Sequence, residues 1–203
     1  MPPDLPARPE YLQAFIEIVA RIASSLRGAQ KRQLPVRMYI AGGAAMHFYV
    51  GERVSEDVDA TFSRRLALPE NLEVAYRDAD GRSRMLYFDR QYNDTFGLLH
   101  PDAYDDALPL ALPEVDSSLI DVRLLSPLDL AVSKIGRLAD VDRTDIAALA
   151  RHGLIRAQAV RSRAEEAAGG YVGDTTRLRN SIDIAVRIVG DAERQAQRRG
   201  GRK

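Results

Sequence analysis

Two aspartates one residue apart, Asp57 and Asp59, close a stretch that opens with Gly42-Gly43 and runs through Arg53 and Ser55. On an extended strand an i, i+2 spacing turns both carboxylates to one face. Like charges placed side by side repel, and such a pair generally needs a cation between its members. Oxygen donors alone favour Mg²⁺ or Mn²⁺, which fill their remaining positions with water and substrate phosphates. A Gly-Gly turn lets main-chain N–H groups approach a phosphate, and a helix N-terminus directly after it adds a favourable dipole. Metal site plus phosphate cradle is the equipment of phosphoryl or nucleotidyl transfer, where positioning and charge neutralisation do most of the catalysis. A solvated edge strand and an ordinary turn are the bland alternatives, and the upstream glycines favour the chemical one.

The flanking pattern supplies elements to hold these residues. Apolar positions at Leu12, Phe15, Ile16, Val19, Ile22, Ala23 and Leu26 predict an amphipathic helix over 9–29. Val36–Ala41 reads as a buried strand, 44–49 as a short helix, and 57–62 as a second strand with period-two alternation. Residues 72–77 and 84–88 flank Asp78-Ala79-Asp80-Gly81, a hairpin turn. The stretch 91–118 is poorly patterned, with a short strand expected near 108–112, and 118–125 alternates again. Ser126-Pro127-Leu128-Asp129 starts a helix with an N-cap serine, proline at the first position and an acid in the first turn. Helical patterning then continues over 127–138, 142–152, 156–167 and 175–198. The expected organisation is a catalytic core over 1–125, carrying the N-terminal helix, with a helical region over 126–203 packed on it.

Composition narrows the function classes. With 203 residues, 45% of them hydrophobic, the chain can bury one sizeable core or a core with a helical appendage. Its 29 acidic and 29 basic residues cancel, so only a local patch could attract nucleic acid or an anionic membrane. The absence of cysteine removes disulfides, thiolate zinc sites and a cysteine nucleophile, and the three histidines lack ligand spacing. No apolar run suits a bilayer and MPPDLPARPE is not a signal peptide, so the expected location is cytoplasmic and no membrane partner is expected.

The stretch from Gly42 to Asp59 resembles motif I of the DNA polymerase β-type nucleotidyltransferases: apolar residues, Gly-Gly, about a dozen residues, then Asp-x-Asp. Arg53-Val54-Ser55-Glu56-Asp57-Val58-Asp59 is similar to the version in the AbiEii-like nucleotidyltransferase toxins of abortive-infection toxin–antitoxin systems. Lys134 on the helix after a late strand, and Asp142-Arg143-Thr144-Asp145, also fit that family. The resemblance spans roughly residues 38–150. It implies an α/β fold of the α+β type, a nucleotidyltransferase mixed sheet flanked by helices, with a C-terminal helical extension. It implies Asp57 and Asp59 as ligands of Mg²⁺ or Mn²⁺, with an NTP as substrate. Nucleotide contacts fall to Gly42, Gly43, Arg53, Ser55, Lys134 and Arg137. A third carboxylate, as metal ligand or general base, falls first to Asp121, on the polar face of the strand just before the motif helix; Asp142 or Asp145 could fill that role instead, and the sequence does not choose between them.

Each of these residues also has an ordinary structural reading. Arg53 can pair with Glu52 or Glu56, Ser55 can cap a turn, and Lys134 and Arg137 can occupy a solvated helix face. Asp142 and Asp145 can answer a helix dipole, and His47 can simply be packed. Arg156, Arg161 and Arg163, with the basic C-terminal run Arg194, Arg198, Arg199, Arg202 and Lys203, could track a phosphate backbone or be solvated. The expected function is metal-dependent transfer of an NMP to an acceptor, RNA (tRNA) first, as a toxin with a cognate antitoxin. A silent binding module, or an enzyme acting on a protein or small-molecule hydroxyl, are the rivals.

Overall fold

The computed structural model describes residues 6–92 and 97–200. They divide into two compact units, one formed by the described residues up to Tyr92 together with Ala107–Leu124, the other by 97–106 and the residues from Leu125 onward. Residues 1–5, 93–96 and the basic Arg202 and Lys203 lie outside the described residues.

In the first unit α1 (Pro9–Ser25) starts with proline at its first position, and its buried stripe Tyr11, Phe15, Ile18, Val19, Ile22 follows the predicted 3–4 spacing. It packs on the hairpin β4 (Glu73–Arg77) and β5 (Ser83–Phe88), and through Phe15 on Phe48 at 5.0 Å between ring centres. Phe48 belongs to α2 (Gly42–Val50), which follows β1 (Val36–Ile40). The predicted strand 57–62 is two: β2 (Asp57–Val58) and β3 (Ala60–Phe62), which lie in different sheets. β3 pairs antiparallel with β1, β1 pairs parallel with β7 (Ile120–Leu124), and β6 (Leu108–Pro109) closes that edge antiparallel to β7. β2 instead pairs parallel with β5, which pairs antiparallel with β4. Both sheets are therefore mixed, and with α1 and α2 they make the α+β core expected from the sequence. The chain changes sheets at Asp59: Val58 and Ala60 both stay buried while the main-chain partners change from β5 to β1.

The described residues of the second unit form four helices: α3 (Pro127–Ile135), α4 (Asp140–Arg151), α5 (Ala157–Ala168) and α6 (Thr175–Gly200). Ser126 caps α3 as predicted, its hydroxyl accepting from the Asp129 N–H at 3.0 Å. Along α6, Leu178, Ile182, Ala185, Val189 and Ala192 are buried at alternating spacings of four and three, the stripe that faces α4 and α5. None of the described helices is long and apolar enough to cross a membrane.

Candidate active site

Three chain segments of the first unit meet at Asp57-Val58-Asp59. On one flank, the Ala41 N–H donates to the Asp59 carbonyl at 2.9 Å, which ties the acid pair to the start of α2. On the other flank, the Asp89 N–H donates to the Val58 carbonyl at 3.1 Å, and Asp57 is the register partner of Tyr87. The segment is thus held between a helix start and the end of β5.

The helix-start flank is built around two glycines. Gly42 is the first residue of α2 rather than part of a turn ahead of it, and adopts φ +55, a conformation that favours glycine. A Cβ there would stand 1.7 Å from Asp59 Oδ2, so the Asp59 carboxylate lies directly over the Gly42 Cα. A Cβ on Gly43 would stand 2.3 Å from Ser55 Oγ and 2.7 Å from an Arg53 guanidinium nitrogen. Ser55 is buried and its hydroxyl donates to Asp57 Oδ1. No side chain caps α2, whose first intrahelical bond runs from the Ala45 N–H to the Ala41 carbonyl. The amides ahead of Ala45 have no acceptor within the helix, the usual condition of a helix end that receives an anion. The structure therefore brings together Gly42, Gly43, Arg53, Ser55, Asp57 and Asp59.

Gly42→Ala carries a large expected effect. A methyl group must displace the Asp59 carboxylate, and the left-handed backbone adds about 1–2 kcal/mol of strain. A misplacement of that order is expected to lower turnover about 100-fold. Wild-type turnover in a steady-state assay of the variant would show that Asp59 need not sit where it does.

His47 is fully buried beneath this flank. Its Nε2 accepts from the Arg8 N–H at 3.1 Å, so its Nδ1 carries the proton that is donated to the Arg53 carbonyl at 2.8 Å. Burial is the main cause that lowers its pKa and keeps the ring neutral. His47 thus fastens the Arg53 segment to α2.

Sequence reasoning missed three residues of this region. Asp89 follows β5 and continues the parallel register in which Asp57 opposes Tyr87, so the next same-face pair along the two strands is Asp59 with Asp89. The Tyr87 phenol is pushed up in pKa first by Asp57, then by burial, Asp89, Glu56 and Asp59, the imprint of one acidic face. Tyr11 of α1 is fully buried, and its hydroxyl has no hydrogen-bond partner among the described residues. Burial first, then Tyr76, Asp57 and Asp59, raise its pKa. The signal for Asp89 was an acid closing the apolar alternation Leu86-Tyr87-Phe88. Nothing in the sequence pointed to Tyr11.

The other candidates stand on other elements. Asp121 faces Arg37 in the β1–β7 register and accepts from Arg123 Nε at 2.9 Å. Asp59 lies level with Ala41, so Asp121 is four positions (roughly 13 Å) along the strands and two strands (roughly 10 Å) across from it. Lys134, Arg137, Asp142 and Asp145 form a cluster of their own in the second unit. Lys134 Nζ sits 2.8 Å from Asp145 Oδ2 and 3.8 Å from Asp142 Oδ1, and Arg137 donates twice to Asp142 at 2.8 Å. The solvated face, the alternative reading of Lys134, is excluded here: its side chain is 8% exposed, and those of Asp142 and Asp145 are 1% and 4%. Arg137, at 70%, does face solvent. Arg161 pairs with Asp183 and Glu165, Arg163 with Asp129 and Asp106, and Arg156 approaches Glu193 at 3.9 Å. Internal carboxylates thus neutralise the basic cluster of α5.

The donors at Asp57 and Asp59 suit a hard divalent cation that completes its shell with substrate oxygens and water. They are two partly exposed carboxylates, and no three acidic or histidine side chains among the described residues converge into a closed cage. A family model described as "Nucleotidyltransferase of unknown function (DUF6036)" matches residues 14–185, a span that includes every residue of the site except Tyr11. No curated protein and no solved structure matches the chain.

Proposed function

We propose that this chain, which belongs to the DUF6036 family of nucleotidyltransferases of unknown function, moves a nucleoside monophosphate from an NTP to an acceptor hydroxyl at the Asp57–Asp59 site. The observation that carries the reading is the contact of Asp59 with Gly42. It sets a pair of carboxylates against an uncapped helix start, cation site beside anion site. Asp57 and Asp59 would hold Mg²⁺ or Mn²⁺, which supplies charge to bind the triphosphate and stabilise the departing pyrophosphate.

The remaining work belongs to the protein. The first amides of α2 and the Arg53 guanidinium orient the triphosphate, and Ser55 fixes the Asp57 carboxylate in its rotamer. The acceptor oxygen attacks the α-phosphorus in line, the bond from that phosphorus to the bridging oxygen breaks, and pyrophosphate leaves. The hydroxyl proton passes to Asp89, which takes the third-carboxylate role in place of Asp121 because its strand adjoins the acid pair. The similarity of Arg53–Asp59 to the AbiEii-like toxins supports RNA, tRNA included, as acceptor, and a toxin–antitoxin role with a protein antitoxin as partner.

The test is transfer of label from each of four α-³²P NTPs, with Mg²⁺, to total cellular RNA. Label is expected in one RNA size class and absent with Asp57→Ala. Asp89→Asn is expected to keep metal-dependent NTP binding and to transfer on the order of 10²–10⁴-fold more slowly. Label that persists in Asp57→Ala, or a chain that binds no NTP with metal, would overturn the assignment.

A further inference from the structure

A pocket of about 330 Å³ opens beside the acid pair, and Thr61, Phe62, Arg64, Arg65, Asp89 and Arg90 are among its walls. Its origin is the change of sheets at Asp59. β2 runs beside β5, but β3 leaves for the other sheet, so β3 and the residues after β5 splay apart. The Phe62 and Phe88 rings stack in this fork at 5.8 Å.

The charge in the pocket is one-sided. Three arginines face one aspartate, and no carboxylate among the described residues pairs with Arg64, Arg65 or Arg90. Arg90 is nevertheless fixed, since its guanidinium donates to the main-chain carbonyls of Pro69 and Glu70. Arg64 Nε is buried and has no hydrogen-bond partner among the described residues. A buried donor left unmade costs about 1–3 kcal/mol, and an anionic oxygen would satisfy it. The planar fork of arginine suits phosphate in particular.

Position separates this pocket from the triphosphate cradle. None of Gly42, Gly43, Arg53 and Ser55 lines it, whereas Asp89 does. The acid pair has the helix start on its Ala41 flank and the pocket on its Asp89 flank. An in-line transfer needs that arrangement, donor on one side of the metal acids and acceptor on the other.

We propose that this pocket is the acceptor subsite and that it takes the phosphodiester next to the terminal hydroxyl of a single-stranded nucleic acid. The assignment rests on the nucleotidyl-transfer reading of the acid pair. The arginines hold the phosphate, the Phe62–Phe88 wall receives the adjoining ring, and the terminal hydroxyl reaches Asp89. A cationic small-molecule acceptor would be repelled.

The test uses the full chain and a fluorescein-labelled single-stranded RNA 12-mer, with its DNA counterpart, read by anisotropy across a salt series. Binding of a fluorescent ATP analogue with Mn²⁺ is measured in parallel. Arg64→Ala/Arg65→Ala is expected to weaken oligonucleotide binding at least tenfold. It should also flatten the slope of log affinity against log salt by about 1.4, two phosphates at ~0.7 each, with the nucleotide affinity unchanged. Arg64→Lys/Arg65→Lys keeps the charge and should keep most of the slope, and Arg65→Ala alone, at an exposed position, guards against misfolding. Unchanged oligonucleotide binding in the alanine variants, or no oligonucleotide binding by the wild type, overturns the proposal. Lost nucleotide affinity with oligonucleotide binding intact overturns it too, and gives the pocket to the NTP. A wild type that binds oligonucleotide through these arginines but binds no nucleotide would sink the transferase reading, and with it the acceptor role, and leave the pocket as a single-strand binding site alone.

Discussion

Asp57→Asn and Asp59→Asn are each expected to lower transfer by about 10²–10³-fold or more, and to leave the fold as stable as before or slightly more so. The two halves of this expectation share one cause. Without a cation, two carboxylates on one short segment repel each other, and the neighbouring Glu56 and Asp89 add to the same acidic face. Asparagine removes a negative charge from that face while keeping size and an acceptor for Ser55. In the proposed reaction the same charge would hold the metal that neutralises the phosphates, so its loss would fall on the transition state. The readout need not be activity alone. Urea unfolding of the wild type should shift to higher midpoint with millimolar Mg²⁺, because a ligand that binds only the folded state adds RT ln(1 + [L]/Kd) to stability. Neither variant should respond in the same way. A wild type whose midpoint ignores Mg²⁺ and Mn²⁺, in the presence and absence of NTP, would remove the metal from this site.

What the sequence revealed and what it withheld divide along the range of the interactions. Gly42-Gly43 and Asp57-x-Asp59 are local patterns, and so are the cap at Ser126, Pro127 and Asp129 and the apolar stripes of α1 and α6. Each is decided within one or two turns of helix or a few residues of strand, where periodicity and capping chemistry act. The split of 57–62 into β2 and β3 was illegible because alternation looks the same whether the strand keeps its partner or changes it at Asp59. Asp89 lies 32 residues beyond Asp57, across a hairpin and a parallel pairing that no turn signal announces. Lys134 read as a nucleotide contact or a solvated residue, and not as a buried ion pair, because its partners Asp142 and Asp145 sit on the next helix. Arg161 and Arg163 likewise read as a basic face, and their carboxylate partners come from as far as Asp183 and Asp106. Long-range charge pairing thus absorbed the features that composition left available for nucleic acid. Arg64, Arg65 and Arg90, which pair with no carboxylate among the described residues, carried no motif at all.

Asp142→Ala is expected to destabilise the chain by about 1.5–3 kcal/mol, the usual cost of losing buried hydrogen bonds to a charged group. The Asp142 side chain is 1% exposed and accepts from Arg137 twice at 2.8 Å and from the Ala139 N–H at 3.0 Å, with Lys134 Nζ 3.8 Å away. Arg137 can turn to water when Asp142 is lost, but Lys134 is buried and would keep Asp145 as its carboxylate partner. Burial alone would raise the Asp142 pKa. The Arg137 bonds, the Ala139 N–H and Lys134 outweigh it and hold the carboxyl below its ordinary range. The sign for stability follows. A carboxyl with a depressed folded pKa contributes in full above its unfolded value, about 3.9, and loses that contribution as pH falls through the folded value. The gap between wild type and Asp142→Ala should therefore be level from neutral pH down to about 4 and close below it. Urea midpoints across that range measure the gap, and a difference under about 1 kcal/mol at neutral pH would mean the cluster contributes no net stability. Lys134→Met separates the two roles open to the lysine. A structural Lys134 loses stability when substituted and leaves metal-dependent NTP affinity intact. A lysine that reaches a phosphate must first leave Asp145, and its loss would weaken NTP binding at temperatures where the variant is still fully folded.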